Sequence, residues 1–161
     1  MSKSGRKMLG ALVSADDPPP SLQRSALMSK VRHKNTSAEL VVRKVSHSLG
    51  LRFRLHPRSL PGTPDLVFPH YRKAIFVHGC FWHRHIGCKR TTNPKTRESF
   101  WQAKFKDNIR RDRRTVAAIR LMGWDVLVVW ECETKKDALL KRKLERFFFG
   151  RTRRVKKRSK T

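Results

Sequence analysis

The sequence predicts a mixed α/β fold, one sheet flanked by helices, on three observations. Apolar residues recur every fourth position at Val41, Val45 and Leu49, alternate with polar ones from Leu51 to His56, and run together from Trp124 to Trp130. Taken along the chain, the patterns give the order helix, three strands, helix, strand, helix, which buries its apolar faces as helices packed on a sheet.

The first helix is predicted from Thr36 to Gly50, with Gly50 suited to the position just past a helix end. Leu51, Phe53 and Leu55 alternate with Arg52, Arg54 and His56, the pattern of a half-buried strand. Residues 57–64 are turn-rich. Leu66-Val67-Phe68 and Ala74-Ile75-Phe76-Val77 follow as short strands around a turn at Pro69-His70-Tyr71. Cys80 to Pro94 shows no period and reads as irregular. Lys95 to Met122 is helical, as one helix or as two broken near Asp107-Asn108, and Gly123 ends it. Thr134 can cap a last helix whose apolar side carries Leu139, Leu140, Leu144, Phe147 and Phe148, closed by Gly150. Residues 1–23, with Asp16-Asp17-Pro18-Pro19-Pro20-Ser21, read as a flexible leader, 24–150 as one domain and 151–161 as a basic tail.

Charge narrows the class of partner. Lys and Arg number 39 against 12 acids, a formal net charge of +27. The tail holds seven basic residues and no acid, and the leader sets Lys3, Arg6 and Lys7 against Asp16 and Asp17, so the domain itself is strongly basic. That much self-repulsion points to a polyanion, where releasing counterions from phosphates drives binding. Charge alone separates neither DNA from RNA nor binding from catalysis. No apolar run approaches the ~18 residues of a membrane span. The N-terminal segment lacks an export signal's apolar core, so a cytoplasmic protein is expected.

Five constellations carry chemistry. Cys80-x4-His85-x2-Cys88, with Cys132 after the last strand, offers the soft donors of a closed tetrahedral zinc site. Three unrelated thiols in a reducing compartment are the plainer account, and spacing does not decide between His83 and His85 as the nitrogen ligand. Pro64-Asp65 precedes the strand Ala74 to Val77, which His78 follows, and one such carboxylate can hold Mg²⁺ with waters and a backbone carbonyl. Metal nucleases of the PD…(D/E)xK pattern work this way, although Phe76 and His78 stand here where that pattern has an acid and a lysine. A lone Pro-Asp is more often a turn cap. His78, His83 and His85 lie within eight residues of one another and suit proton transfer near neutral pH. Phe81, Trp82 and Trp101 sit among Arg84, Lys89, Arg90, Arg97, Lys104 and Lys106, as base-wedging aromatics do, whereas Trp124 and Trp130 belong with the core strand. Arg110, Arg111, Arg113 and Arg114 form a basic helix face around one acid, Asp112.

Six ordered blocks together resemble the very-short-patch-repair family of bacterial mismatch endonucleases. They are Arg32-His33-Lys34-Asn35-Thr36, Leu60-Pro61-Gly62-Thr63-Pro64-Asp65, Ala74 through His83, Ser99-Phe100-Trp101, Asn108 through Arg114, and Trp130-Glu131-Cys132. The resemblance implies a restriction-endonuclease-like fold and a Mg²⁺-dependent nick in the thymine strand of a T:G mismatch. It implies that Asp65 and the Val77 carbonyl bind Mg²⁺, that His83 is the general base, that His78 stabilises the scissile phosphate, that Asp112 supports a histidine and that Glu39 lies near the metal's waters. It also implies a structural zinc on Cys80, His85, Cys88 and Cys132, and Phe81, Trp82 and Trp101 intercalated at the mismatch. Val77 stands where some members have threonine, and the His85–Cys88 spacing is one residue longer than the family's shortest. Thr36-x-x-Glu39 also spells a capping box, so whether Glu39 serves the site or its helix stays open. The expected partner is double-stranded DNA, with repair proteins besides, bound by a monomer near the nucleoid. A restriction-type or general nuclease and a non-catalytic zinc-dependent DNA-binding protein are the competing readings.

Overall fold

The computed structural model describes residues 34–150; the leader, the basic tail, and Arg32 and His33 of the first family block lie outside the described residues. Helix α1 spans Ser37–Ser48, strands β1, β2 and β3 span Arg54–Leu55, Leu66–Phe68 and Lys73–His78, helix α2 spans Glu98–Leu121, strand β4 spans Asp125–Trp130, and helix α3 spans Asp137–Phe149. The strands form one sheet in the order β1-β2-β3-β4. β1–β2 and β2–β3 are antiparallel, and β3 runs parallel to β4 with Lys73 opposite Asp125 and His78 opposite Trp130. It is a mixed α/β sheet flanked by helices, as the patterning predicts.

Alternation along the central strands assigns the two faces. Ile75 and Val129 point to one side, into a core with Val42 and Val45 of α1, Leu66 and Phe68 of β2, and Leu140, Leu144 and Phe148 of α3. Phe76 and Val126 point to the other, against Ile119 of α2. His78 shares the parity of Phe76 and therefore faces the α2 side. Lys73, buried at the start of β3, donates to the Phe147 carbonyl near the end of α3, and its ammonium lies 4.7 Å and 5.5 Å from the Phe147 and Phe148 ring centroids.

Four boundaries differ from the sequence reading. The first strand shrinks to two residues, because Leu51 is spent in the core before pairing starts and both paired residues are exposed. Lys95–Met122 resolves to a single helix with no break at Asp107-Asn108. Asn108 is buried there and donates its side-chain amide to the Trp82 carbonyl at 3.0 Å, a tertiary use for a poor helix former. Thr134 does not cap the last helix. It sits in a short 3-10 turn, Glu133–Lys135, and its hydroxyl donates to the Glu131 carbonyl at 2.8 Å. Leu139 is 54% exposed, so the apolar stripe of α3 starts one residue later, at Leu140.

Candidate functional site

The chain reaches Asp65 through the turn at 60–64, and Gly62 lets that turn approach α2. Its φ is +69°, and a methyl group added there would overlap the Thr115 side chain. Asp65 stands one residue before β2, and its Oδ2 accepts from the Val77 amide at 2.7 Å. The N–H and C=O of one strand residue point to the same edge, so the Val77 carbonyl lies on the side of β3 that Asp65 occupies.

Burial raises the Asp65 carboxyl to about 6, against the pull of the Val77 amide, and the charge of Glu39 adds to the rise. Among the described residues no lysine or arginine pairs with it; its ion-pair contact is His56, 3.7 Å from Nδ1 to Oδ1. A half-buried carboxylate with one firm donor and open lone pairs fits a hard divalent cation. Glu39, His56 and Asp65 together bring one donor atom each within 4.8 Å of one another.

Next to Asp65 along β3 comes the imidazole pair. His78 stacks on His83 with ring centroids 3.9 Å apart and planes 12° from parallel. His83 Nδ1 lies 2.5 Å from Asp112 Oδ2 on α2. The carboxylate can only accept, so Nδ1 carries the proton and Nε2 is left as the acceptor. Burial opposes the charge on Asp112, but the His83 hydrogen bond and charge, with help from His78 and Arg111, outweigh it and hold the carboxyl below its usual range. Burial lowers His78 to about 4, assisted by His83, so its ring is neutral at neutral pH.

The loop leaving β3 gathers the sulfur donors. His85 Nδ1 is 3.7 Å from Cys80 Sγ and 3.3 Å from Cys132 Sγ, and the donor atoms of Cys80, His85, Cys88 and Cys132 all lie within 4.8 Å of one another. A tetrahedral zinc with metal–sulfur bonds of about 2.3 Å needs ligand edges of about 3.6–3.8 Å, so the donor set fits that ion. Burial first, then the neighbouring thiols, push the Cys80 thiol up to about 12, and burial also raises Cys132, whereas the Arg90 backbone amide lowers Cys88; three thiols this close lose their protons together only when a cation compensates. His83 and His85 are thereby divided, one facing Asp112 and the other the sulfurs.

Phe81 and Trp82, on the same loop, meet Trp101 in the first turn of α2. Their centroids are 5.5 Å and 5.8 Å from that of Trp101, and buried Phe105 lies under Phe81 at 5.2 Å. All three remain half-buried. Arg110, Arg111, Arg113 and Arg114 are exposed along α2 beside Asp112, and Arg111 approaches the Asp112 carboxylate at 3.8 Å.

Glu39 has the capping use that its sequence suggests. The capping box with Thr36 is formed, and the same buried carboxylate reaches Arg43 and His56. Sequence reasoning missed His56, Arg43 and the role of Trp130. The Trp130 ring lies flat on His85, 4.3 Å away and 5° from parallel, and meets His78 edge-on at 5.5 Å, so it is more than a core residue. Its place directly before Glu131-Cys132 was the available signal. His56 carried only the alternation of its strand, which points to no partner.

Comparison with known proteins places the chain among DNA mismatch and nicking endonucleases. A family model described as DNA mismatch endonuclease Vsr matches residues 17–90. The type II nicking enzyme V.XorIIP of Xanthomonas oryzae pv. oryzae is 50% identical over 122 residues, covering 76% of this chain and 89% of the relative. The DNA mismatch endonuclease Vsr of Escherichia coli (strain K12) is 40% identical over 132 residues, covering 79% and 84%. The type II nicking enzyme V.NmeAIP of Neisseria meningitidis serogroup A is 37% identical, covering 77% and 88%.

Proposed function

The chain belongs to the Vsr family of DNA mismatch endonucleases, and from that premise we propose that it nicks the thymine strand of a T:G mismatch in a Mg²⁺-dependent hydrolysis. It is a DNA endonuclease of the nicking type with a restriction-endonuclease-like fold. The observation that carries the mechanism is the adjacency of a half-buried Asp65 to the His78–His83–Asp112 stack through consecutive residues of β3.

Asp65 and the Val77 carbonyl would hold the Mg²⁺, which supplies positive charge against the scissile phosphate and acidifies the attacking water. His83 takes that water's proton at Nε2, since Asp112 keeps the proton on Nδ1 and stabilises the imidazolium that forms. His78 stays neutral beside it, adds no second positive charge, and can donate one N–H to a phosphate oxygen. Phe81, Trp82 and Trp101 wedge into the mismatched step, which unstacks at lower cost than a paired one. The exposed arginines of α2 bind the backbone. Cys80, His85, Cys88 and Cys132 would hold a structural zinc that keeps the wedge and the imidazoles on one rigid loop.

Residues 24–150 would constitute the catalytic domain, acting as a monomer on nucleoid DNA in the cytoplasm. Among the described residues no helix is long and apolar enough to cross a membrane.

The test is a set of labelled duplexes identical except for a T:G pair, other mispairs or no mispair, incubated with Mg²⁺. A single nick in the thymine strand of the T:G duplex is expected, and none after Asp65→Ala. Equal cutting of all duplexes would replace this reading with a general or restriction-type nuclease, and binding without cutting would replace it with a DNA-binding protein.

A further inference from the structure

A second group of side chains surrounds Asp65: Glu39 and Arg43 of α1, and His56 at the end of β1. Glu39 is already fully engaged. Its Oε1 accepts from the Thr36 hydroxyl at 3.1 Å and lies 3.4 Å from the Thr36 amide, and its Oε2 accepts from the Asn35 amide at 3.0 Å and from Arg43 Nη2 at 3.0 Å. The carboxylate thus anchors Arg43, and the same Nη2 stands 3.3 Å from His56 Nε2.

A guanidinium can only donate. His56 Nε2 faces both Arg43 Nη2 at 3.3 Å and Glu39 Oε2 at 3.5 Å; the shorter contact makes Nε2 the acceptor and puts a ring proton on Nδ1. Nδ1 is the atom that faces Asp65 Oδ1 at 3.7 Å. The backbone points the same way: the His56 amide donates to the Asp65 carbonyl at 3.4 Å, and φ of His56 is +45°. That left-handed conformation is strained for a residue with a Cβ, and the fold accepts it at a half-buried ring beside the candidate metal ligand.

We propose that His56 is a positioning residue for the Asp65 carboxylate: an imidazole held by Arg43, whose Nδ1–H steers Asp65 Oδ1 while the Val77 amide holds Oδ2. The inference rests on the reading of Asp65 as the ligand of the divalent cation. A carboxylate has about four acceptor positions; two N–H groups, one for each oxygen, orient it and leave the remainder for the cation. At 3.7 Å the His56 contact is electrostatic rather than a hydrogen bond. Its effect falls on cation affinity, not on the chemical step. Outer groups that orient metal ligands are worth roughly 10–100-fold in affinity.

The experiment measures Mn²⁺ binding to the full-length protein by paramagnetic resonance, and the Mg²⁺ dependence of nicking on the T:G duplex. Wild type, His56→Ala, His56→Asn and Asp65→Ala are compared, with thermal melts as a check on folding. His56→Ala is expected to weaken Mn²⁺ binding and raise the half-saturating Mg²⁺ roughly tenfold or more, with kcat at saturating Mg²⁺ nearly unchanged. His56→Asn keeps an N–H donor and should recover most of the affinity. Unchanged Mn²⁺ binding and Mg²⁺ dependence in a folded His56→Ala, with both lost in Asp65→Ala, would overturn the inference and leave the site intact. A ¹⁴N coupling to Mn²⁺ that disappears in His56→Ala would also overturn it, making His56 a direct ligand. Retention of metal binding and nicking by Asp65→Ala would remove the premise and the inference together.

Discussion

Asp65 carries a charge that its surroundings oppose, and the opposition has a sign that can be measured. Its pKa rises from 3.8 to about 6 on folding, with burial as the main cause. A carboxyl raised in this way favours the fold while protonated. That contribution is complete below pH ~4 and is lost as pH rises through ~6. At pH 8, in chelator, the ionised side chain is a cost, so Asp65→Asn is expected to be more stable than wild type by on the order of 1–3 kcal/mol. The gap should close below pH 4, and denaturant melts of the two proteins across that range check it. Added Mg²⁺ should stabilise wild type and leave Asp65→Asn unmoved. Identical stability at every pH would mean that the carboxylate is solvated after all. His78 has the opposite sign: its pKa falls to about 4, so the stability it lends above its unfolded pKa of 6.5 drains as pH falls through about 4. A site tuned for chemistry is being held together against its own titration.

At the scale of elements, the segment between β3 and α2 decides whether the site exists. It has no regular structure to hold it from Cys80 to Pro94, yet it must present His83, Phe81 and Trp82 in fixed positions. Its anchors are few. The Thr91 hydroxyl reaches the Cys80 and His85 carbonyls at 3.2 Å and 2.8 Å, Arg90 pairs with Glu131 at 2.7 Å, and Asn108 takes the Trp82 carbonyl. The exposed Arg90–Glu131 pair adds little. Most of the rigidity has to come from the Cys/His cluster, in which Cys132 ties the loop to the end of β4. Cys132→Ser is therefore expected to lose bound zinc, lower the melting temperature and slow nicking together. Zinc content by mass spectrometry and a calorimetric melt read the first two. A variant with full zinc content and unchanged melting would remove Cys132 from the ligand set. Trp130 gives the cluster a route to the imidazoles, since one ring packs against both His85 and His78.

For the molecule as a whole, electrostatics dominates. A net charge of +27 on 161 residues opposes compaction and attracts any nucleic acid. Affinity for DNA should fall linearly on a log–log plot against salt, by about 0.9 per phosphate neutralised. Deleting 151–161 removes seven basic residues, so the slope should become shallower by up to about six. The ratio of T:G to matched-duplex nicking should hold, because sequence-blind contacts weaken both alike. Titrations at several salt concentrations test this. A slope unchanged by the deletion would show that the tail does not touch DNA, and a collapsed ratio would give it a part in recognition.

The sequence by itself determined the class of fold, the polyanionic partner and the residue types of both candidate metal groups. Those properties follow from local periods, net charge and donor chemistry, which are legible one residue at a time. Spacing left His83 and His85 open and only the resemblance divided them; the tertiary structure shows what lies opposite each, Asp112 on α2 for one and Cys132 after β4 for the other. Only the tertiary structure decided the use of Asn108, a break signal turned into a buried hydrogen bond, and of Thr134, a cap signal used in a turn. His56 is the extreme case. Its meaning lies wholly in Asp65 and Arg43, which meet it from other elements, and no pattern of spacing records a contact that only the closing of the sheet creates.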